Sequence, residues 1–345
     1  MNISSEFIKK KAIELGFQKV GITEATETIS EQNNLRSWLK KNNHADMKWM
    51  ENRSEERGNI HKYFPEAKSV ISVGMNYYTG IKQEDLKSDY KFSNYAWGDD
   101  YHIILKDKLF SLLSWIKEFD PTVKGVVCVD TSPVMDKVWA QKAGLGWIGK
   151  HTNLISRDYG SWLFLGELIL DQSLEKDKPF NEDLCGTCVA CIEACPTQAL
   201  NDYEIDAGKC ISYLSIEYRG PFTDDQEHLN EWIYGCDICQ EVCPWNEKFS
   251  KKTTEKGFQI RQEILNFENS DWDKISEEDF RLLFKKSSVK RTKFSGVDRN
   301  IQLHKKNFIK LCKLALLNCD YPFMNFKINW NITILKLFCS NYLIF

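Results

Sequence analysis

Eight cysteines between residues 185 and 243 have the type and spacing to bind iron, and iron held by clustered thiolates moves single electrons. The first run is Cys185-Gly-Thr-Cys188-Val-Ala-Cys191-Ile-Glu-Ala-Cys195-Pro196, whose two, two and three spacing closed by proline is that of a four-iron cluster motif. The second reads Cys236-Asp-Ile-Cys239-Gln-Glu-Val-Cys243-Pro244. Laid over the first, it has Ile233 where a leading cysteine should stand, and Cys210, between the runs, can supply that thiolate. In such motifs three closely spaced cysteines hold one cluster and the cysteine before the proline reaches the other. Cys185, Cys188, Cys191 and Cys243 are therefore assigned to one 4Fe-4S cluster, and Cys195, Cys210, Cys236 and Cys239 to a second. Structural zinc also uses paired Cys-x-x-Cys, and a disulfide framework needs a secreted context, but the proline-closed spacing favours two clusters over either. Cys128, Cys312, Cys319 and Cys339 follow no ligand spacing and read as small buried hydrophobes.

A two-cluster module needs far fewer than 345 residues, so another part of the chain must use the electrons. The segment from Asp130 to Asn153, DTSPVMDKVWAQKAGLGWIGKHTN, is the strongest candidate. Asp130 ends a predicted strand, Pro133 fits a first helical turn and Gly144 stands where a glycine closes a helix. Spacing alone favours a structural reading, with Asp130 or Ser132 as the helix N-cap and Gly144, Gly146 and Gly149 in turns. The glycines match neither a Walker A loop nor a dinucleotide fingerprint. Further on, Lys285, Lys286, Lys290, Arg291, Lys293 and Arg299 concentrate positive charge around Phe284 and Phe294. Such a run is usually a solvated helix face, and the net charge of -3 argues against global attraction to nucleic acid while leaving a local patch open.

The elements that must position these groups follow from periodicity. Apolar residues at helical spacing over 5–15 are closed by Gly16, a strand is predicted over 17–23, and further strands over 69–78 and 124–129 flank a helix over 104–119. Helices alternating with apolar strands imply an α/β or α+β sheet domain over residues 1–175. The charged stretch 171–183, with Pro179, suits a linker into a bacterial-ferredoxin-like two-cluster module over 176–250. From about 255 the strands disappear, and helices over 277–284 and 307–317 imply a small C-terminal α-helical (HEAT-like) region over 251–345 that packs on its neighbour. No leader is visible at the start, and 328–345 is too polar to span a bilayer, so a cytoplasmic protein off the membrane is expected.

Together these passages resemble the epoxyqueuosine reductases, cobalamin-dependent iron–sulfur enzymes of tRNA modification. The resemblance is carried by VDTSPVMDKVWAQKAGLGWIGKHTNLIS, GSWLFLGEL, the cysteine block, KCISYLSIE and YGCDICQEVCPWN, with HKYFPEAKSVISVGMNYY and YAWGDDYH earlier in the chain. KRTKFSGVDRN also resembles the family, whereas the tail beyond about 320 does not. The resemblance implies reduction of epoxyqueuosine to queuosine in a tRNA anticodon loop, with base-off cobalamin between the sheet domain and the clusters. It makes Asp130 the proton donor, which requires a buried pocket that raises its carboxyl pKa. Arg57, Tyr101, His102, Asp130, Met135, Lys150, Asn153 and Ser156 fall in corrin-binding segments, and Ser212 and Asp237 would face the same cavity, although each has an equally good structural reading. The basic segment becomes an RNA contact, a flavodoxin or ferredoxin the expected reductant, and the chain a monomer. A reductive dehalogenase-like cobalamin enzyme carrying an export signal and an electron-transfer protein without cobalamin are the alternatives.

Overall fold

The computed structural model describes residues 3–227 and 229–318, with side chains described up to 310 except at 225. The readings of Cys312, Cys319, Cys339 and the segment 328–345 lie outside these described residues and side chains.

The N-terminal part is built on a four-stranded sheet of β1 (Lys19–Glu24), β2 (Ser69–Asn76), β3 (Gly125–Cys128) and β4 (Leu163–Leu170), in the order β1-β2-β4-β3. Every pairing is antiparallel, so the domain is α+β rather than α/β. Helices α1 (Ser5–Glu14) and α2 (Tyr101–Phe119) cover one face, where Ile8, Leu105, Leu109 and Ile116 meet Ile71, Val73 and Leu168. The opposite face is closed by Trp139 of α3 (Asp136–Lys142), with Ile60, Phe64 and Val134, over Val70, Cys128 and Ile169. Covering both faces explains why SVISVGMN is apolar throughout rather than alternating, since all eight of its residues are buried. The strand over 163–170, absent from the sequence expectation, pairs with both β2 and β3.

The cysteine-rich part consists of short turns around α4 (Ile211–Ile216) and is stitched to the N-terminal part by strand 232–234, which runs parallel to 91–92. Ile233 is fully buried in a second core, with Phe92, Trp97, Trp272 and Phe284. The position lacking a cysteine is thus a packing position. The same core receives α5 (Glu277–Leu283), which opens on a Ser276–Asp279 capping box, and α6 (Lys293–Asn318), so the C-terminal helices dock on the chain around 86–97 and 233–234. No helix of the described residues is long and apolar enough to cross a membrane.

Candidate active site

Members of each expected cysteine set lie near one another, and Cys239 lies within electrostatic reach of Cys191 of the other set as well. Cys191 lies within electrostatic reach of Cys243, Cys185 and Cys188, and Cys243 of Cys185 and Cys188. Cys236 and Cys239 each lie within reach of Cys210, which itself faces Cys195. Burial first, then neighbouring thiols, pushes Cys191 up to about 11. Crowded neutral thiols are what bound iron would convert to thiolates. Cys128, by contrast, is a lone buried thiol in the sheet core.

Asp130 lies just beyond β3 with φ of 53°, in the left-handed region that a residue with Cβ enters only when held there. It does not cap α3, and neither does Ser132. The N-cap position is Met135, which makes no side-chain cap bond, and Pro133 precedes the helix. Gly144 closes α3 at φ +82°, as the structural reading had it. Freed from capping, the Asp130 side chain is 61 % exposed in a cleft between β3, α2 and the basic segment.

Its carboxylate meets an imidazole. His102 Nε2 is 3.0 Å from Asp130 Oδ2, and His102 Nδ1 is 2.7 Å from Asp100 Oδ1, the N-cap residue of α2. Burial lowers the His102 pKa, but the hydrogen bonds and charges of Asp100 and Asp130 outweigh it and set it at about 9. The surrounding protein raises Asp130, yet hydrogen bonds from His102 and Tyr101, with the His102 charge, bring it below the usual carboxylate value. The expectation of a raised Asp130 pKa is thus reversed. At neutral pH the proton sits on His102.

The other residues named from sequence divide. Arg57 is buried, donates weakly to the Ser132 carbonyl (3.5 Å) and lies over Trp49, while its Nε has no partner. Tyr101 is stacked between His102 and Phe164, with ring centroids 4.1 and 4.2 Å away. Met135 enters α3 beside this cleft. Lys150 is buried with its ammonium 3.4 Å from Asp202. Asn153 Oδ1 accepts from Lys137, at 3.1 Å, and Ser156 Oγ accepts from the Asp158 amide. Asp237 is fully buried and spends its two oxygens on Ser93 Oγ (2.5 Å) and the Asn94 amide (2.6 Å), the structural alternative for this residue. Ser212 lies in the first turn of α4, two residues after Cys210.

The basic segment also divides. Lys285, Lys290 and Lys293 line a groove of about 340 Å³ with Arg281, Phe284 and Phe294. Lys286 is exposed beside it. Arg291 forms a two-pronged pair with Glu217 and lies within electrostatic reach of Asp130. Arg299 leaves the patch: its guanidinium donates to the carbonyls of Leu214, Tyr218 and Gly220 and stacks over Phe222, 4.2 Å from the ring centroid. Lys290 Nζ is 3.5 Å from Asp100 Oδ2, so the groove and the Asp100–His102–Asp130 chain are neighbours.

Sequence reasoning missed Asp100 and Lys137. The Asp99-Asp100 pair before α2 was a visible capping signal, but nothing local pointed to its histidine partner. Lys137, though exposed, donates from Nζ to the Thr152 carbonyl at 2.8 Å, and the surrounding protein lowers its pKa against the pull of Asp136 and Asp130.

A two-cluster thiolate module, joined to an α+β domain that presents a carboxylate–imidazolium pair in a cleft, defines an iron–sulfur oxidoreductase. Residues 184–246 match the family model described as 4Fe-4S double cluster binding domain, and residues 57–131 match that described as Epoxyqueuosine reductase QueG, DUF1730. The epoxyqueuosine reductase of Leadbetterella byssophila is 47% identical over 304 residues, covering 88% of this chain and 98% of that protein, and that of Cellulophaga algicola is 45% identical over 303 residues, covering 87% and 98%. Among solved structures, epoxyqueuosine reductase with an epoxyqueuosine-modified tRNA-Tyr stem loop matches with a TM-score of 0.79 at 27% identity, covering 90% of this chain and 84% of that one. The Bacillus subtilis enzyme, solved with its catalytic aspartate loop swung out of the active site, matches with a TM-score of 0.79 at 26% identity, covering 92% and 86%. The chain belongs to the epoxyqueuosine reductase family. The activity that the family's name states is the reduction of epoxyqueuosine.

Proposed function

We propose that this chain finishes queuosine in the anticodon loop of tRNA, drawing electrons through two 4Fe-4S clusters into base-off cobalamin and protons through Asp130. The observation that carries the reading is the Asp130 carboxylate, held by His102 at 3.0 Å, with Arg291 of the basic segment and Lys137, itself near Cys239, within electrostatic reach. Opening the epoxide and forming the alkene takes two electrons and two protons and releases one water. When bound, the corrin supplies cobalt chemistry at the epoxide carbon, and the clusters supply electrons at potentials low enough for it.

The chain's own residues bind and protonate. Arg57 Nε and His151 Nε2 are buried polar atoms without partners, which suits the amide side chains of a corrin. His151 is held neutral, burial and then Lys137 lowering its pKa to about 4, and its Nδ1 accepts from the Asn153 amide, so Nε2 carries a donor hydrogen. Tyr101, His102, Met135, Lys150, Asn153 and Ser156 complete the corrin contacts, with Ser212 on the cluster side, where Asp237 acts structurally through Ser93 and Asn94. His102 passes its proton to Asp130, and Asp130 delivers it to the oxygen that leaves, while Asp100 keeps the imidazole aligned. Cys185, Cys188, Cys191 and Cys243 hold one cluster, and Cys195, Cys210, Cys236 and Cys239 the other. Lys285, Lys286, Lys290 and Lys293 receive RNA phosphates, and the anticodon loop splays its modified base toward Asp130. The parts divide as residues 1–175, 176–250 and 251–345, working as a cytoplasmic monomer reduced by a flavodoxin or ferredoxin.

Incubating the reconstituted protein with a chemical reductant and epoxyqueuosine-containing tRNA, with and without cobalamin, tests this reading by nucleoside mass spectrometry. Loss of one oxygen only when cobalamin is present is the expected result. Equal conversion without cobalamin would reject it.

A further inference from the structure

One buried acid takes no part in the chemistry above. Glu167 lies on β4 opposite Cys128 of β3 and is fully buried. Ser72 Oγ, on β2, donates to its Oε1 at 3.2 Å, while Oε2 meets no donor. The group in hydrogen-bonding contact with Glu167 is the carboxyl of Asp136, at the start of α3. Two carboxyls in contact, one fully buried and the other half-buried, do not both ionise, so one proton lies between them. Burial, then the Asp136 charge, drives Glu167 well above the ordinary carboxylate range, and burial raises Asp136 too.

Asp136 has a second contact. Its Oδ1 accepts the backbone amide of Asp130 at 3.4 Å, at the residue whose left-handed backbone needs holding. The groups around the pair come from every side: Ser72 from β2, Cys128 from β3, Arg57 from the helix over 54–58, and Asp130, Tyr101 and Lys137 around Asp136. Cys128 stays a neutral thiol, pushed up to about 12 by burial and by Glu167.

We propose that Glu167 and Asp136, sharing one proton, form a latch that holds Asp130 in the cleft, which makes Glu167 a positioning residue for proton delivery. The neutral carboxyl of Glu167 fixes Asp136, and Asp136 fixes the Asp130 amide. The proposal rests on Asp130 being the proton donor.

Glutamine keeps a donor toward Asp136, and leucine removes it. In the cluster- and cobalamin-loaded protein, Glu167→Leu should lower kcat at least about tenfold while KM for tRNA changes less than about threefold, and Glu167→Gln should restore most of the rate. Asp136→Ala, which removes the acceptor for the Asp130 amide without touching the sheet, should match Glu167→Leu and serves if that variant does not fold. Infrared spectra of the wild-type protein should show the carbonyl stretch of a protonated carboxylic acid that is missing from Glu167→Gln. Wild-type kcat in both Glu167→Leu and Asp136→Ala, a Gln variant as slow as the Leu variant, or no such band in the wild type would overturn the latch. Asp130→Asn separates the two ideas. Full turnover in that variant rejects the donor role itself, whereas its loss beside wild-type Asp136→Ala rejects the latch alone.

Discussion

At the scale of single residues, the pairing of His102 with Asp130 decides how a carboxylate can serve as an acid near neutral pH. An isolated aspartate is ionised there and has no proton to give, but His102, held between Asp100 and Asp130, keeps one until about pH 9. His102→Gln should therefore lower kcat by about 100-fold with little change in tRNA affinity, as steady-state kinetics beside a binding titration will show. The sign of the pH dependence follows from a raised folded pKa. The stability that the imidazolium interaction supplies is fully present below the ordinary histidine value of 6.5 and is lost as pH rises through about 9, whereas turnover follows the protonated fraction of the folded protein and should fall only as pH passes about 9, a limb that the His102→Gln variant should lack. The double-cluster module over 184–246 was legible because thiolate spacing is a local code. The proton's place was not: His102 and Asp130 are 28 residues apart, on different elements, and a carboxyl's pKa direction depends on the partner that folding supplies. Arg299 was misread for the same reason, since a basic residue looks alike in sequence whether its guanidinium faces water or three carbonyls.

At the scale of elements, the sheet explains both what periodicity found and what it lost. β1, β2 and β3 stood out as short apolar runs, and α1 and α2 as helical stripes. β4 entered only as part of a motif, because its mostly apolar LFLGELIL, interrupted by Gly166 and Glu167, matches no strand template until both sheet faces are seen to be covered. The C-terminal helices were correctly expected to need a neighbour, and aromatic packing supplies it. Trp272 is almost fully buried, 4.9 Å between ring centroids from Phe92 and in the same core as Phe284. Trp272→Ala should cost about 3–5 kcal/mol and detach this region first, visible as early loss of hydrogen-exchange protection over 277–301. The groove-lining lysines call for a different outcome. Lys285→Glu with Lys293→Glu should leave the melting temperature unchanged and reduce the salt slope of tRNA binding by about 2, whereas Arg299→Ala should lower the melting temperature and leave the slope alone.

At the scale of the whole molecule, the proposed function requires electrons, RNA and protons to meet near Asp130. Asp130 projects from the end of β3 within electrostatic reach of Arg291, Lys290 links the basic groove to Asp100, and Lys137 lies within reach of both Asp130 and Cys239. Cys210 shows how much of this depends on tertiary structure. It lies 26 residues before Cys236 and is brought within reach of Cys236 and Cys239, while Ile233, the position that spacing would have favoured, is sealed in an aromatic core. Cys210→Ser should halve the iron content and leave one cluster's absorbance, whereas an unchanged iron content would remove Cys210 from the ligand set. The proposed route of protons to the substrate runs through Asp130. Its most direct test is multiple-turnover conversion of epoxyqueuosine tRNA by Asp130→Asn, followed by nucleoside mass spectrometry on protein shown to carry both clusters and cobalamin. At least a 100-fold loss of turnover with tRNA binding intact is expected from removing a general acid. Conversion at the wild-type rate would contradict the account.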